Sequence, residues 1–109
     1  MKRLIIIILL IPVIASAQEL ITKFEKSNFK ECSDYHEVID FCKKLDQKYD
    51  KANYLSFGKS GRYHDLPLLI IDQFGYSEPD AIRESGKTIL MVEASIHPGE
   101  PDGTSAGLM

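Results

Sequence analysis

An apolar run from Thr88 to Ala94 passes directly into Ile96-His97-Pro98-Gly99-Glu100-Pro101-Asp102-Gly103. This junction constrains the fold more than any other stretch. The run is short enough for a buried strand and too short for a core helix. Pro98 and Gly99 then oppose any helix and force a tight loop. Small residues follow, and Ser105-Ala106-Gly107-Leu108-Met109 reads as the first turn of a helix that Asp102 can cap. A strand running into a Gly/Pro-rich loop is where open α/β sheets collect their functional groups, just beyond the carboxyl ends of strands. His97 and Glu100 stand at that position. A neutral imidazole nitrogen and a carboxylate oxygen both bind zinc at about 2.0–2.2 Å, so the two are candidate metal ligands. Taken alone, the four-residue spacing arises by chance, and a plain Pro-Gly turn between solvated flanks accounts for it. Its place after a buried strand is what singles it out.

The chain before this point supplies scaffold. Residues 18–31 are polar with scattered Leu20, Ile21, Phe24 and Phe29, and read as an extended lead-in. Asp34 with Glu37 forms a capping-box pattern. Tyr35, Val38, Ile39, Cys42, Leu45 and Tyr49 then recur at helical spacing, which predicts a packing helix from Tyr35 to Tyr49. His36, in its first turn beside acids, reads as a surface residue. Asn53 to Lys59 alternates, and Leu66 to Phe74 is nearly continuous in apolar character. The short polar link between them predicts a hairpin. Arg62, Tyr63 and His64 lie in that link and read as exposed turn residues. Residues 75–87 carry Pro79, Gly86 and five charges, which reads as a surface loop with one helical turn at Asp80–Glu84.

The first 17 residues have a different character. Lys2-Arg3, an apolar stretch from Leu4 to Ile14, and Ala15-Ser16-Ala17 form a secretory signal pattern with cleavage expected after Ala17. The apolar stretch is shorter than the roughly 20 residues a membrane span needs, and no Cys follows the cleavage point to accept lipid. A secreted or periplasmic protein of residues 18–109 is therefore expected, with no stable membrane anchor after cleavage. It keeps 11 of the 13 basic side chains against 16 acidic ones. That balance argues against a nucleic-acid partner. Cys32 and Cys42 are compatible with an oxidising compartment, but a bridge requires the Cys32 segment to fold back along the helix until the Cα atoms lie within about 7 Å. A buried, reduced Cys42 is expected instead.

Glu93-Ala94-Ser95-Ile96-His97-Pro98-Gly99-Glu100-Pro101-Asp102-Gly103-Thr104-Ser105-Ala106-Gly107-Leu108 resembles the first zinc-binding segment of the zinc carboxypeptidase family, the M14 metallopeptidases, in which His-x-x-Glu follows a central strand. The His-Pro-Gly-Glu form, with Asp-Gly and then Ala-Gly-Leu, is similar to the bacterial secreted branch. Gly58-Lys59-Ser60-Gly61-Arg62 and Leu68-Leu69-Ile70-Ile71 resemble the family's first hairpin. The resemblance covers roughly Tyr35 to Met109 and only the beginning of the family's domain.

The resemblance implies a mixed sheet flanked by helices in the carboxypeptidase-like (phosphorylase/hydrolase-like) α/β fold. It implies a zinc-dependent carboxypeptidase acting on peptide or protein C-termini, with Zn2+ held by His97, Glu100 and a later His. The general base and the groups that hold a substrate's terminal carboxylate lie further along in the family, so no residue of this chain is assigned to catalysis. His36 and His64 match no family ligand position. A fragment, inactive as it stands and with about three strands and one full helix, is the expectation. A related zinc amidohydrolase shares the His-x-x-Glu start, and a secreted binding module without a complete metal site is the non-enzymatic alternative.

Overall fold

The computed structural model describes residues 19–109. The signal-peptide reading of residues 1–17 lies outside them. Within residues 19–109 no helix is long and apolar enough to cross a membrane. The architecture is a small mixed α/β arrangement: α1 (Lys23–Lys26), α2 (Tyr35–Lys48), β1 (Ala52–Lys59), β2 (Asp65–Ile71), α3 (Pro79–Glu84) and α4 (Asp102–Leu108), with β1 and β2 forming a two-stranded antiparallel sheet.

The lead-in is not simply extended. Thr22 and Glu25 form a capping box that starts α1, the Thr22 hydroxyl accepting from the Glu25 N–H and the Glu25 carboxylate from the Thr22 N–H. This Thr-x-x-Glu signature stands in the sequence but lacks the apolar run that usually accompanies it. Lys23 Nζ reaches 3.1 Å to Glu37 Oε2 and so ties α1 to the start of α2.

α2 begins at its predicted capping box, Asp34 accepting from the Glu37 N–H at 2.9 Å. It ends at Lys48, with Tyr49 as the extended C-cap. Its apolar stripe buries Ile39 and Cys42, and α2 packs against β1, whose first residue Ala52 is buried. Both ends of the packed face are also pinned by polar contacts. The Tyr35 hydroxyl donates to the Asp65 carbonyl at 2.9 Å, and the Tyr54 N–H donates to the Asp46 carboxylate at 3.2 Å. Cys42 is buried and Cys32 half-buried, and both thiols are free. Burial without a compensating charge pushes the Cys42 thiol pKa up.

The hairpin pairs Ala52 with Ile71 and runs in register to Ser56 opposite Pro67. Beyond that, one extra residue on β1 makes a bulge before Lys59 meets Asp65. The predicted second strand continued to Phe74, but β2 stops at Ile71. Asp72 stops it by folding its carboxylate back onto the N–H groups of Phe74 and Tyr76, at 2.7 and 3.2 Å. Gly75 completes the turn at φ +77°, and a Cβ there would lie 2.5 Å from the Asp50 carbonyl oxygen, so only glycine fits. The Asp72 N–H also donates to the Lys51 carbonyl at 2.9 Å, and Asn53 Nδ2 donates to the Gly75 carbonyl at 3.3 Å. The open end of the hairpin is thereby closed.

The predicted strand from Thr88 to Ala94 does not form. The segment pairs with nothing in the sheet, and Ile89, Leu90, Met91 and Val92 are 67–86 % exposed. A strand is defined by a ladder partner, and apolar character alone does not supply one. The expected mixed sheet of about three strands is therefore an antiparallel pair among the described residues. The helical turn foreseen after Pro79 is α3, with proline in its first turn.

Candidate functional site

The segment at 88–94 is unpaired, yet the loop that follows it is well defined. The Glu100 N–H donates to the His97 carbonyl at 3.3 Å, and Gly99 sits at φ +89°. Proline at the second position and a positive-φ glycine at the third are the residue choices of a type II turn. The turn carries His97 and Glu100 on its two corners and brings their side chains together: His97 Nδ1 lies 3.2 Å from Glu100 Oε2. Both side chains are about 70 % exposed, at 72 % and 68 %. An ion pair in such high-dielectric surroundings contributes little, so the backbone turn and not the pair holds the geometry.

α4 backs the loop. Pro101 is its N-cap with no side-chain capping bond, so Asp102 does not cap the helix as expected but forms its first residue, where a negative charge still suits the helix dipole. The Cβ that an alanine at Gly103 would add comes 3.1 Å from Ala94 Cβ, so glycine lets α4 sit directly on the end of the apolar segment. Between them opens a cleft of about 420 Å³, lined by Glu93, Ser95, His97, Glu100, Asp102 and neighbouring backbone.

The donor set can be tested against zinc. Two donors bound to one tetrahedral ion at about 2.0–2.1 Å stand about 3.3 Å apart. The His97–Glu100 separation of 3.2 Å matches that spacing. The same separation is a hydrogen bond when Nδ1 carries the proton, so proton and metal compete for one lone pair. Glu93 and Asp102 line the cleft without completing a set: among the described residues no three His, Cys, Asp or Glu side chains are grouped to hold an ion. The residues present fit two ligands of a zinc site.

The other two histidines sit elsewhere. His36 and His64 are exposed and flank Tyr35, each ring 5.2 Å from the Tyr35 ring and 6.3 Å from the other. The hairpin loop thus folds onto the start of α2. The sequence reading overlooked Ser95. It holds φ +55°, and its hydroxyl contacts both the Glu100 carbonyl and the Thr104 hydroxyl. No periodicity or spacing marks a serine for that conformation.

Compared with family models, curated proteins and solved structures, the chain has no match.

Proposed function

We propose that His97 and Glu100 are two of the three protein ligands of a zinc ion in an exported metallocarboxypeptidase of the M14 type, with the carboxypeptidase-like α/β fold in the intact protein. The observation that carries this reading is the convergence of Nδ1 and Oε2 to 3.2 Å on a Pro98-Gly99 turn. The signal-like start and the hairpin before the loop support it, in the order the family resemblance requires. The substrate would be the C-terminus of a peptide or protein.

Each residue has a definite task. His97 offers an imidazole nitrogen and Glu100 a carboxylate oxygen, while Pro98 and Gly99 fix the turn that aims both. α4 and the end of the apolar segment form the walls of the cleft beside the two ligands, where a peptide would have to enter. A zinc ion held there would supply Lewis-acid polarisation of a carbonyl and a bound water with its pKa lowered to about 7. No residue of this chain takes the part of third ligand or general base, so no peptidase activity is expected of residues 18–109 alone.

The test is a zinc titration of the full chain by calorimetry, beside peptidase assays of the protein purified from its source. Weak zinc binding is expected in the chain, falling at least tenfold in His97→Ala and in Glu100→Gln. The source protein should release C-terminal residues from peptides, and a chelator should stop it. Zinc binding unchanged by both substitutions, or release indifferent to chelator, overturns the reading.

A further inference from the structure

Ser95 is one of four non-glycine residues with positive φ among those described, and it lies two residues before His97. A left-handed backbone is unfavourable for an L-residue, so the surroundings must hold it there. Two hydrogen bonds do. A serine hydroxyl has one proton and two acceptor sites. The Ser95 proton goes to the Glu100 carbonyl oxygen, at 3.0 Å. The 2.7 Å contact to Thr104 is then made by the Thr104 hydroxyl donating to Ser95 Oγ. One side chain thus joins three places: the end of the extended segment, the far corner of the His97–Glu100 turn, and the third residue of α4.

The consequence for the loop is geometric. Its own hydrogen bond, Glu100 N–H to His97 carbonyl, is long at 3.3 Å, and the exposed His97–Glu100 pair contributes little. A single turn closed that way flexes freely in water. Ser95 adds a second closure outside the first, from residue 95 to residue 100, and anchors it to a helix. The φ of Ser95 sets the direction in which the chain enters the turn and so the direction in which His97 points.

We infer that Ser95 is the positioning residue that holds His97 and Glu100 at ligand spacing, acting through its hydroxyl from a left-handed backbone. Its meaning for zinc rests on the function proposed above, but the positioning itself does not need the metal. The residue acts through its neighbours and contributes no ligand of its own.

The experiment uses the full chain with Ser95→Ala, Ser95→Gly and Thr104→Val. The metal-free readout is the nuclear Overhauser contact between the His97 ring protons and the Glu100 methylenes. It is expected in the parent chain, lost in both Ser95 variants and weakened in Thr104→Val, while the resonances of α2 and the hairpin stay in place. The two Ser95 variants are read together: alanine lacks only the hydroxyl, and glycine adopts the left-handed backbone without strain while lacking the hydroxyl as well. If the contact survives in Ser95→Gly, the hydroxyl role is overturned. Zinc affinity, measured in parallel, should fall about 10- to 100-fold in the Ser95 variants, as for other residues that orient metal ligands. A parent chain whose zinc affinity equals that of His97→Ala overturns the zinc reading and leaves the Overhauser result to decide the positioning role. Loss of the contact with unchanged affinity in a zinc-binding parent overturns the link between positioning and metal.

Discussion

Asp72 is the residue on which most local order converges. Its carboxylate accepts from Phe74 and Tyr76 N–H groups and from Lys87 Nζ at 2.5 Å, and the Lys87 ammonium also lies 4.2 Å from the Phe74 ring centre and 5.2 Å from that of Tyr76. The Lys87 contact first, and then the two backbone donors, hold the Asp72 carboxyl below its usual pKa. A folded-state value below the unfolded one, near 3.9, means the contribution to stability is complete above about pH 4. It is lost as pH falls through the depressed folded value. The Phe74 and Tyr76 amide resonances should therefore move together in that acid range, and Asp72→Asn should abolish the movement. A titration of those amides near neutral pH, or one that persists in Asp72→Asn, contradicts the assignment. None of this network is legible in the sequence, where Asp72 reads as part of the Leu66–Phe74 strand and residues 75–87 as a surface loop. Its partners are 15 positions apart, and no local pattern announces such a pair. His97 and Glu100 are the opposite case: Pro98-Gly99 between them names its own turn type, so their convergence follows from four adjacent residues. Ser95 falls between the two, visible as a residue and not as a conformation.

Elements that carry their own instructions appear where the pattern puts them. α2 has a capping box and a 3.6-residue apolar stripe, and both are realised within one residue of the expected bounds. The hairpin has two alternating or apolar runs and a polar link, and it forms. The segment at 88–94 has only apolar character. Whether such a run is a strand depends on a neighbour that its own residues do not specify. Left unpaired, it presents Leu90 at 86 % and Met91 at 78 % exposure, successive large apolar side chains of the kind that folded monomers usually cover. The full chain should therefore enhance the fluorescence of an apolar dye such as ANS, and Leu90→Lys should reduce that signal by about half without altering the far-ultraviolet circular dichroism. Equal dye binding in Leu90→Lys would place the sticky surface elsewhere, on the exposed Phe57 and Ile71 of the hairpin.

The described residues share one packed centre, and it is small. Ile39, Cys42 and Ala52 are the buried apolar side chains among the described residues, and all belong to the contact of α2 with β1. The mixture of helix and strand was legible from the patterns, whereas the extent of the sheet was not, because adding strands is a long-range decision. The closed base of the hairpin, where the Gly75 turn abuts the Asp50 carbonyl and Asp72 bonds Lys51, has a consequence in time. The contacts that build α2, β1 and β2 all fall within residues 34–76, the widest of the named ones joining Tyr35 to Asp65, and closing loops of this size costs only modest entropy. Low contact order makes such a unit fast, within about a millisecond. Residues 34–76 should thus assemble before residues 88–109 on refolding, and each later segment would meet a finished template. Pulsed hydrogen exchange should find the β1 and β2 amides protected first and residues 88–94 still open; simultaneous protection of both would remove the template from the pathway.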